Sequence, residues 1–489
     1  MLFSIDEQDY SSSFDGSKKG FQHNKGNLIK LFPFATELKE LPESSLDLIN
    51  FYGISGKFHR SCLGMEQTSL LPKDQLIQLI VDEVDAGPNK EDLEDIIAEL
   101  LFDKNEHLIL FSFQVLPHLG FQWPNAKLKN LENFICNLLI DDEVEKIIEN
   151  TISDNAPNNI LYQLVLDKFK NITNKGVSTY NRNGYYEGPL VKEIRDLFKE
   201  DLSNLIQNKA LFTEKVSTLI KFYYFQYILK LIAQLSNLFS DNPRPGLFYF
   251  SLDWEKLSKS RLAIDNGWRK LEKLVEPMFA HANCLELLHT IQSSEGRFLK
   301  KCFTYSEILT DIQQMDEESE KGLTVVVNKI INRYRDSIKD TDWSDFDAKY
   351  KIPEGKTYSY YHSTSLIHKL YSMIKYQFEK SYTRRAAYRS FNAWYKEFVK
   401  LNYYKSRGSL GGTLKLDKEG LLLFTEMSIM SSGKDKILTS HLWLQLERRG
   451  ILLDNQSKRE VVNFFEKINI LEKKSDSGDA QYVTRLYNR

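Results

Sequence analysis

Three groups of residues have types and spacings that invite chemistry. His281, Cys284 and His289 would share one face of a helix, where imidazole and thiolate ligands suit zinc. No acidic or further cysteine ligand completes the set, and such residues on an apolar helix more often pack in a core. The segment "GISGKFHR" (53–60) brings glycines next to a lysine. A phosphate-cradling loop needs Gly-x4-Gly-Lys-Ser/Thr; here the glycines are too close together and Phe58 follows Lys57. Asp253, Glu255 and Lys256 lie beside the run "LFYFSLDW", which reads as a strand. They form an acid–lysine group of the kind a metal-dependent nuclease uses. No HExxH, GxSxG or HxE with PCxxC occurs. The expectation is a subunit without catalysis, metal or cofactor of its own, with a divergent metal-dependent nuclease as an alternative.

A second kind of chemistry is concentrated in residues 356–407, which hold eleven Lys or Arg against the two acids Glu379 and Glu397, together with fourteen aromatic residues. Such a stretch suits phosphate neutralisation and base stacking. Most of the aromatics have a simpler explanation. Ile367, Leu370, Tyr371, Ile374 and Phe378 fall on one helical face, and Tyr388, Phe391, Tyr395 and Phe398 repeat the spacing, so they are expected in the core. On an unbroken helix Lys375, Arg389, Lys396 and Lys400 would line a side away from that face. With Arg384 and Arg385 they are the main candidates for contacting double-stranded DNA. The competing reading is a solvated face whose long side chains cover apolar neighbours.

The tail supplies a second candidate surface. "DKEGLLLFTEMSIMSS", "LTSHLWLQLERRG" and "NQSKREVVNFFEKINI" read as three helices, the second ending on Gly450, and "ILEKKSDSGDAQYVTRLY" reads as a hairpin. This order predicts a winged helix, whose third helix can enter a major groove. Val461, Phe464, Phe465 and Ile468 should bury, which turns Arg459, Asn463, Glu466 and Lys467 outward. Lys473 and Lys474 sit on the hairpin. Residues 417–489 balance twelve Lys or Arg against eleven acids, so charge leaves DNA binding and protein docking both open. Arg448 and Arg449 suit a helix C-terminus.

These surfaces need a scaffold, and the chain is long enough for several domains: 489 residues, 42% hydrophobic and 27% charged, with a net charge of -2. Helical periodicity dominates. The expected fold is mainly α: multi-helical N-terminal and central regions followed by the winged helix. Residues 1–27 read as a flexible leader, 28–170 as an N-terminal helical domain and 190–355 as a central one. A basic aromatic helical segment (356–416) and the winged-helix domain (417–489) complete the chain, with a long loop at 171–189. The most apolar run, 217–235, carries Lys221 and Lys230 and reads as a buried helix rather than a membrane span. Four dispersed cysteines, Cys62, Cys136, Cys284 and Cys302, and a start without a signal-peptide pattern suit the cytoplasm.

One segment resembles a known family. The run 447–483, "ERRGILLDNQSKREVVNFFEKINILEKKSDSGDAQYV", is similar to the carboxy-terminal segment of the DptG family of DNA phosphorothioation-dependent restriction systems. The resemblance rests on the "RRGI" step, the Asp454-x-x-Ser457 helix start and above all "LEKKSDSGDAQYV". It implies a role in antiviral defence, in a complex that spares DNA carrying sulfur in its backbone. It also implies ATPase partners of the DptF and DptH type, which carry the P-loops. The family supplies no catalytic residues to transfer.

Overall fold

The computed structural model describes residues 3–15, 22–23, 48–67, 72–84, 87–102, 108–109, 112–120, 126–153, 160–170, 173–175, 187–244, 246–294, 296–299, 304–381, 385–473 and 481–486. The chain is mainly helical, with small sheets between the helices. Strand β1 (Phe3–Ile5) pairs antiparallel with Ile291–Ser293, and helix α1 (Glu7–Ser13) follows, its Asp6 N-cap accepting the Asp9 N–H at 3.0 Å. Residues 3–15 therefore depart from the expected loose leader. Phe3, Tyr10 and Phe14 are buried, and burial of three large apolar side chains outweighs the polar composition around them.

Helix α2 (Tyr52–Cys62) contains the glycine-rich "GISGKFHR" segment, which is buried along most of its length. Gly56 is needed for packing: a Cβ there would lie 1.9 Å from the Leu119 carbonyl oxygen. Arg60 donates to the carbonyls of Pro117 and Leu119 at 2.9 and 2.6 Å. Within the expected 171–189 loop, Thr173–Lys175 pairs antiparallel with Met65–Gln67.

Helices α3 (Pro189–Ile206) and α4 (Lys209–Ser236) pack together at the centre. The 28-residue α4 is buried on nearly every side, as an all-round apolar helix must be. The two lysines in its apolar run find partners: Lys230 pairs with Glu193 at 2.5 Å, and Lys221 donates to the Ile49 carbonyl and to Asn402 Oδ1. No helix among the described residues is long and apolar enough to cross a membrane.

The run "LFYFSLDW" yields β2 (Tyr249–Leu252). Farther along come α5 (His362–Lys380) and α6 (Arg385–Asn402), which are two helices rather than one. Ser381 ends α5 in extended backbone, and its hydroxyl donates to Asp340 Oδ2 at 2.5 Å. The unbroken stripe expected from Lys375 to Lys400 is therefore interrupted. The predicted apolar faces hold: Ile367, Leu370, Tyr371, Ile374, Phe378, Tyr388, Phe391, Tyr395 and Phe398 are all buried.

Two short strands, β3 (Tyr404–Ser406) and β4 (Gly412–Leu416), precede the last helices. Helix α7 (Lys418–Met430), strand β5 (Lys436–Leu438), helix α8 (Thr439–Arg448), strand β6 (Leu452–Leu453), helix α9 (Asn455–Lys467) and strands β7 (Leu471–Lys473) and β8 (Gln481–Thr484) complete the chain. A four-stranded mixed sheet runs β6-β2-β4-β3, with β6 and β4 parallel to β2 and β3 antiparallel to β4. It ties the tail to the central region through the pairs Leu452–Tyr249 and Leu414–Phe250. A second sheet runs β5-β8-β7: the expected hairpin β7–β8, joined by the strand that precedes α8.

Candidate nucleic-acid interface

Helix α9 is defined at both ends. Asp454 caps its start, Oδ1 accepting the Ser457 N–H at 3.0 Å. At its end Asn469 turns left-handed (φ 58°), while the Ile470 N–H bonds the Phe465 carbonyl at 3.0 Å, a Schellman closure. Val461 and Phe465 are buried and Phe464 and Ile468 half-buried. Arg459, Asn463, Glu466 and Lys467 face solvent as expected, joined by Asn455 and Gln456. Gln, Arg and Asn, the types of Gln456, Arg459 and Asn463, are among those whose geometry suits hydrogen bonds to base edges.

Asp454 does more than cap the helix. Arg261 forks onto it, Nε to Oδ2 at 2.7 Å and Nη2 to Oδ1 at 2.8 Å, and Nη2 also reaches Glu255 Oε2 at 2.9 Å. The Ser457 hydroxyl donates to Glu255 Oε1 at 2.8 Å. Burial raises the Asp454 carboxyl, and the Arg261 guanidinium together with the Ser457 hydrogen bonds more than reverses this, leaving it below the usual carboxylate range. Two turns beyond Ser457, Phe464 packs on Trp254 with ring centroids 5.1 Å apart, and the Lys418 ammonium lies over both rings. Residues 253–261 thus run along one flank of α9. On the other flank, Lys473 of β7 pairs with Glu466 at 2.6 Å.

The acids of the nuclease-like group are engaged in this scaffold. Glu255 is buried against Arg261, and Asp253 pairs with Lys405 at 2.8 Å. Of the metal-like group, His281 stacks on Tyr371 at 4.1 Å and bonds the Tyr305 hydroxyl, while Cys284 is buried and His289 bonds the Leu299 carbonyl. Burial lowers the His281 ring to about 3.

Helix α8 ends in a Schellman closure at Gly450 (φ 83°), with the Ile451 N–H on the Leu446 carbonyl at 2.9 Å. The two arginines before it are not simple helix-end charges. Arg448 forks onto Glu200 at 2.9 and 2.6 Å. Arg449, fully buried, holds the equally buried Asp201 at 2.5 Å and also reaches Ser431 and Gln445. Tyr223 donates to Asp201 Oδ2 at 2.6 Å.

The basic stretch splits into unequal parts. Arg385 and Arg389 are exposed on α6 and Lys396 is half-buried, with no ion pair among the described residues; exposed Lys400 pairs with Glu397 at 2.5 Å. At about 100° per residue these four still share one flank of α6. Lys375 belongs instead to α5, where it faces Glu379 at 3.7 Å. Arg384 and Lys474 lie outside the described residues. The geometry adds Gln456 to the candidate surface and places Lys256, which the sequence associates with acid chemistry, beside α9.

No protein-family model matches the chain, and no curated protein matches it either.

Proposed function

We propose that this chain is a non-catalytic DNA-binding and scaffold subunit of a phosphorothioation-dependent DNA restriction complex, an antiviral defence of the cytoplasm, working with P-loop ATPase partners of the DptF and DptH type. The DNA-binding part is carried by the outward face of α9 and its setting. Three helices (α7, α8, α9) are followed by a hairpin whose second strand returns to pair with β5. This order supports the winged-helix reading, with Gln456, Arg459 and Asn463 outward on the third helix. The flank of Arg385, Arg389, Lys396 and Lys400 on α6 offers charge for phosphates, which gives sequence-independent affinity that falls steeply with salt. The restriction setting rests on the resemblance of residues 447–483.

The test is fluorescence anisotropy of the purified protein with a short labelled duplex at low and near-physiological salt. Wild type is compared with a variant carrying Arg385→Glu and Arg389→Glu. Salt-sensitive binding that the variant loses supports DNA holding by this subunit; no binding at low salt overturns it. Leu444, 60% exposed on α8 next to the half-buried Trp443, and Leu438, 38% exposed at the end of β5, favour a second reading, a scaffold that docks proteins alone. Co-purification with an ATPase partner without any DNA affinity would select that reading.

A further inference from the structure

We infer that residues 253–261 form a second flanking arm of α9, placing Lys256 and Lys259 against the phosphate backbone of a duplex whose groove α9 enters. This rests on the DNA-binding reading above and adds a contact surface to it. Around α9, at about 100° per residue, Glu466 comes first, held by Lys473 of the hairpin. Arg459, Asn463, Gln456, Lys467 and the half-buried Glu460 follow, and then Phe464 and Ser457, which touch Trp254 and Glu255. The open arc between the two flanks spans about 160° and carries the polar side chains. The hairpin therefore borders one side of the outward face and the 253–261 segment borders the other.

The charge of this arm is selective. Its acids are consumed, Asp253 by Lys405 and Glu255 by Arg261. Arg261 is itself buried against Asp454. Lys256 and Lys259 remain exposed, without an ion pair among the described residues, so the arm presents net positive charge to solvent. It is also fixed before any partner arrives. The Leu252 N–H bonds Glu255 Oε1 at 2.7 Å, Arg407 Nη1 bonds the Glu255 carbonyl at 2.9 Å, and the Trp254–Phe464 contact holds the middle. Such preorganisation removes much of the entropy cost of positioning two lysines. A duplex suits the surface because phosphates flank a groove on both sides, as the two arms flank α9.

The experiment measures duplex binding across a salt series for wild type, Arg459→Ala, the double variant Lys256→Ala with Lys259→Ala, and its counterpart with both lysines changed to Arg. Unchanged circular dichroism and melting confirm folding, since both lysines are exposed. The alanine pair is expected to bind about tenfold more weakly and to shallow the salt slope by nearly two, one step for each lost phosphate contact. The arginine pair should bind like wild type. If wild type binds and Arg459→Ala weakens it while the alanine pair keeps both affinity and slope, the arm is overturned and the DNA-binding reading stands. Absence of wild-type binding overturns both.

Discussion

Arg449 and Asp201 stand 248 residues apart in sequence and meet inside the protein with both side chains fully buried, 2.5 Å between Nη2 and Oδ1. Burial lowers the Arg449 guanidinium, and the Asp201 hydrogen bonds more than restore it, so it stays charged. Together with Arg448–Glu200 this pair fastens the end of α8 to α3. Changing Arg449 to Leu leaves a buried carboxylate with only Tyr223 and should cost about 3–5 kcal/mol. Changing both Arg449 and Asp201 to Leu removes the stranded charge and should cost much less than the sum of the single changes. Urea unfolding of the two single variants and the double variant measures the coupling; additive losses would refute it.

Gly450 is the hinge of the same junction. Its left-handed backbone favours glycine, and a Cβ would meet Gln226 Oε1 at 2.2 Å. Gly450→Ala should therefore lose more than the roughly 1–2 kcal/mol of left-handed strain alone. Gly450→Asn, which tolerates the backbone angle, should recover little because it keeps the clash. Adding Gln226→Ala to Gly450→Ala should restore part of the loss in a chemical denaturation series.

What local sequence reveals and what it hides separates clearly in this chain. The apolar faces of α5 and α6, the start of α9 and the end of α8 were legible because periodicity, Asp454-x-x-Ser457 and Gly450 act within a few residues. The break between α5 and α6 was not. The segment "KSYTRR" (380–385) holds no proline or glycine, and the Ser381 hydroxyl is engaged by Asp340, 41 residues away. Polar composition suggested a loose start for the chain, yet β1 is ordered by pairing with residues 291–293. The role of Glu255 was hidden for the same reason: its partners Arg261 and Ser457 converge only in three dimensions. Strand β5, needed to complete the terminal sheet, is three residues long and too short for a periodic signal.

Imidazoles lowered by burial contribute to the acid limb of stability: His59, His281 and His368, the last lowered to about 4. Burial lowers His59 to about 4 and His281 to about 3, so both rings are neutral in the folded protein at pH 6.5. The unfolded chain takes up protons below about 6.5, where an unperturbed histidine titrates. Stability should consequently fall as pH drops from there toward 4, by up to about 1.4 kcal/mol per pH unit for each ring. His281→Phe keeps the stack on Tyr371 and cannot titrate. Its urea midpoints should decline less steeply between pH 6 and 4 than those of wild type; parallel slopes would show that His281 contributes nothing to the limb.

The α9 and α6 surfaces should differ in how they respond to DNA sequence. Arg459 and Asn463 lie outward on α9, where a bidentate contact to a base edge is worth about 1–3 kcal/mol of discrimination. Phosphate contacts of the kind proposed for Arg385 and Arg389 on α6 carry no sequence information. On a panel of duplexes that wild type ranks by affinity, Arg459→Ala and Asn463→Ala should compress the ranking. Arg385→Ala and Arg389→Ala should weaken every duplex alike and shallow the salt dependence. If the α9 variants instead weaken all duplexes equally, α9 contacts only the backbone, and any sequence preference must come from the deformability of the DNA or from a partner subunit.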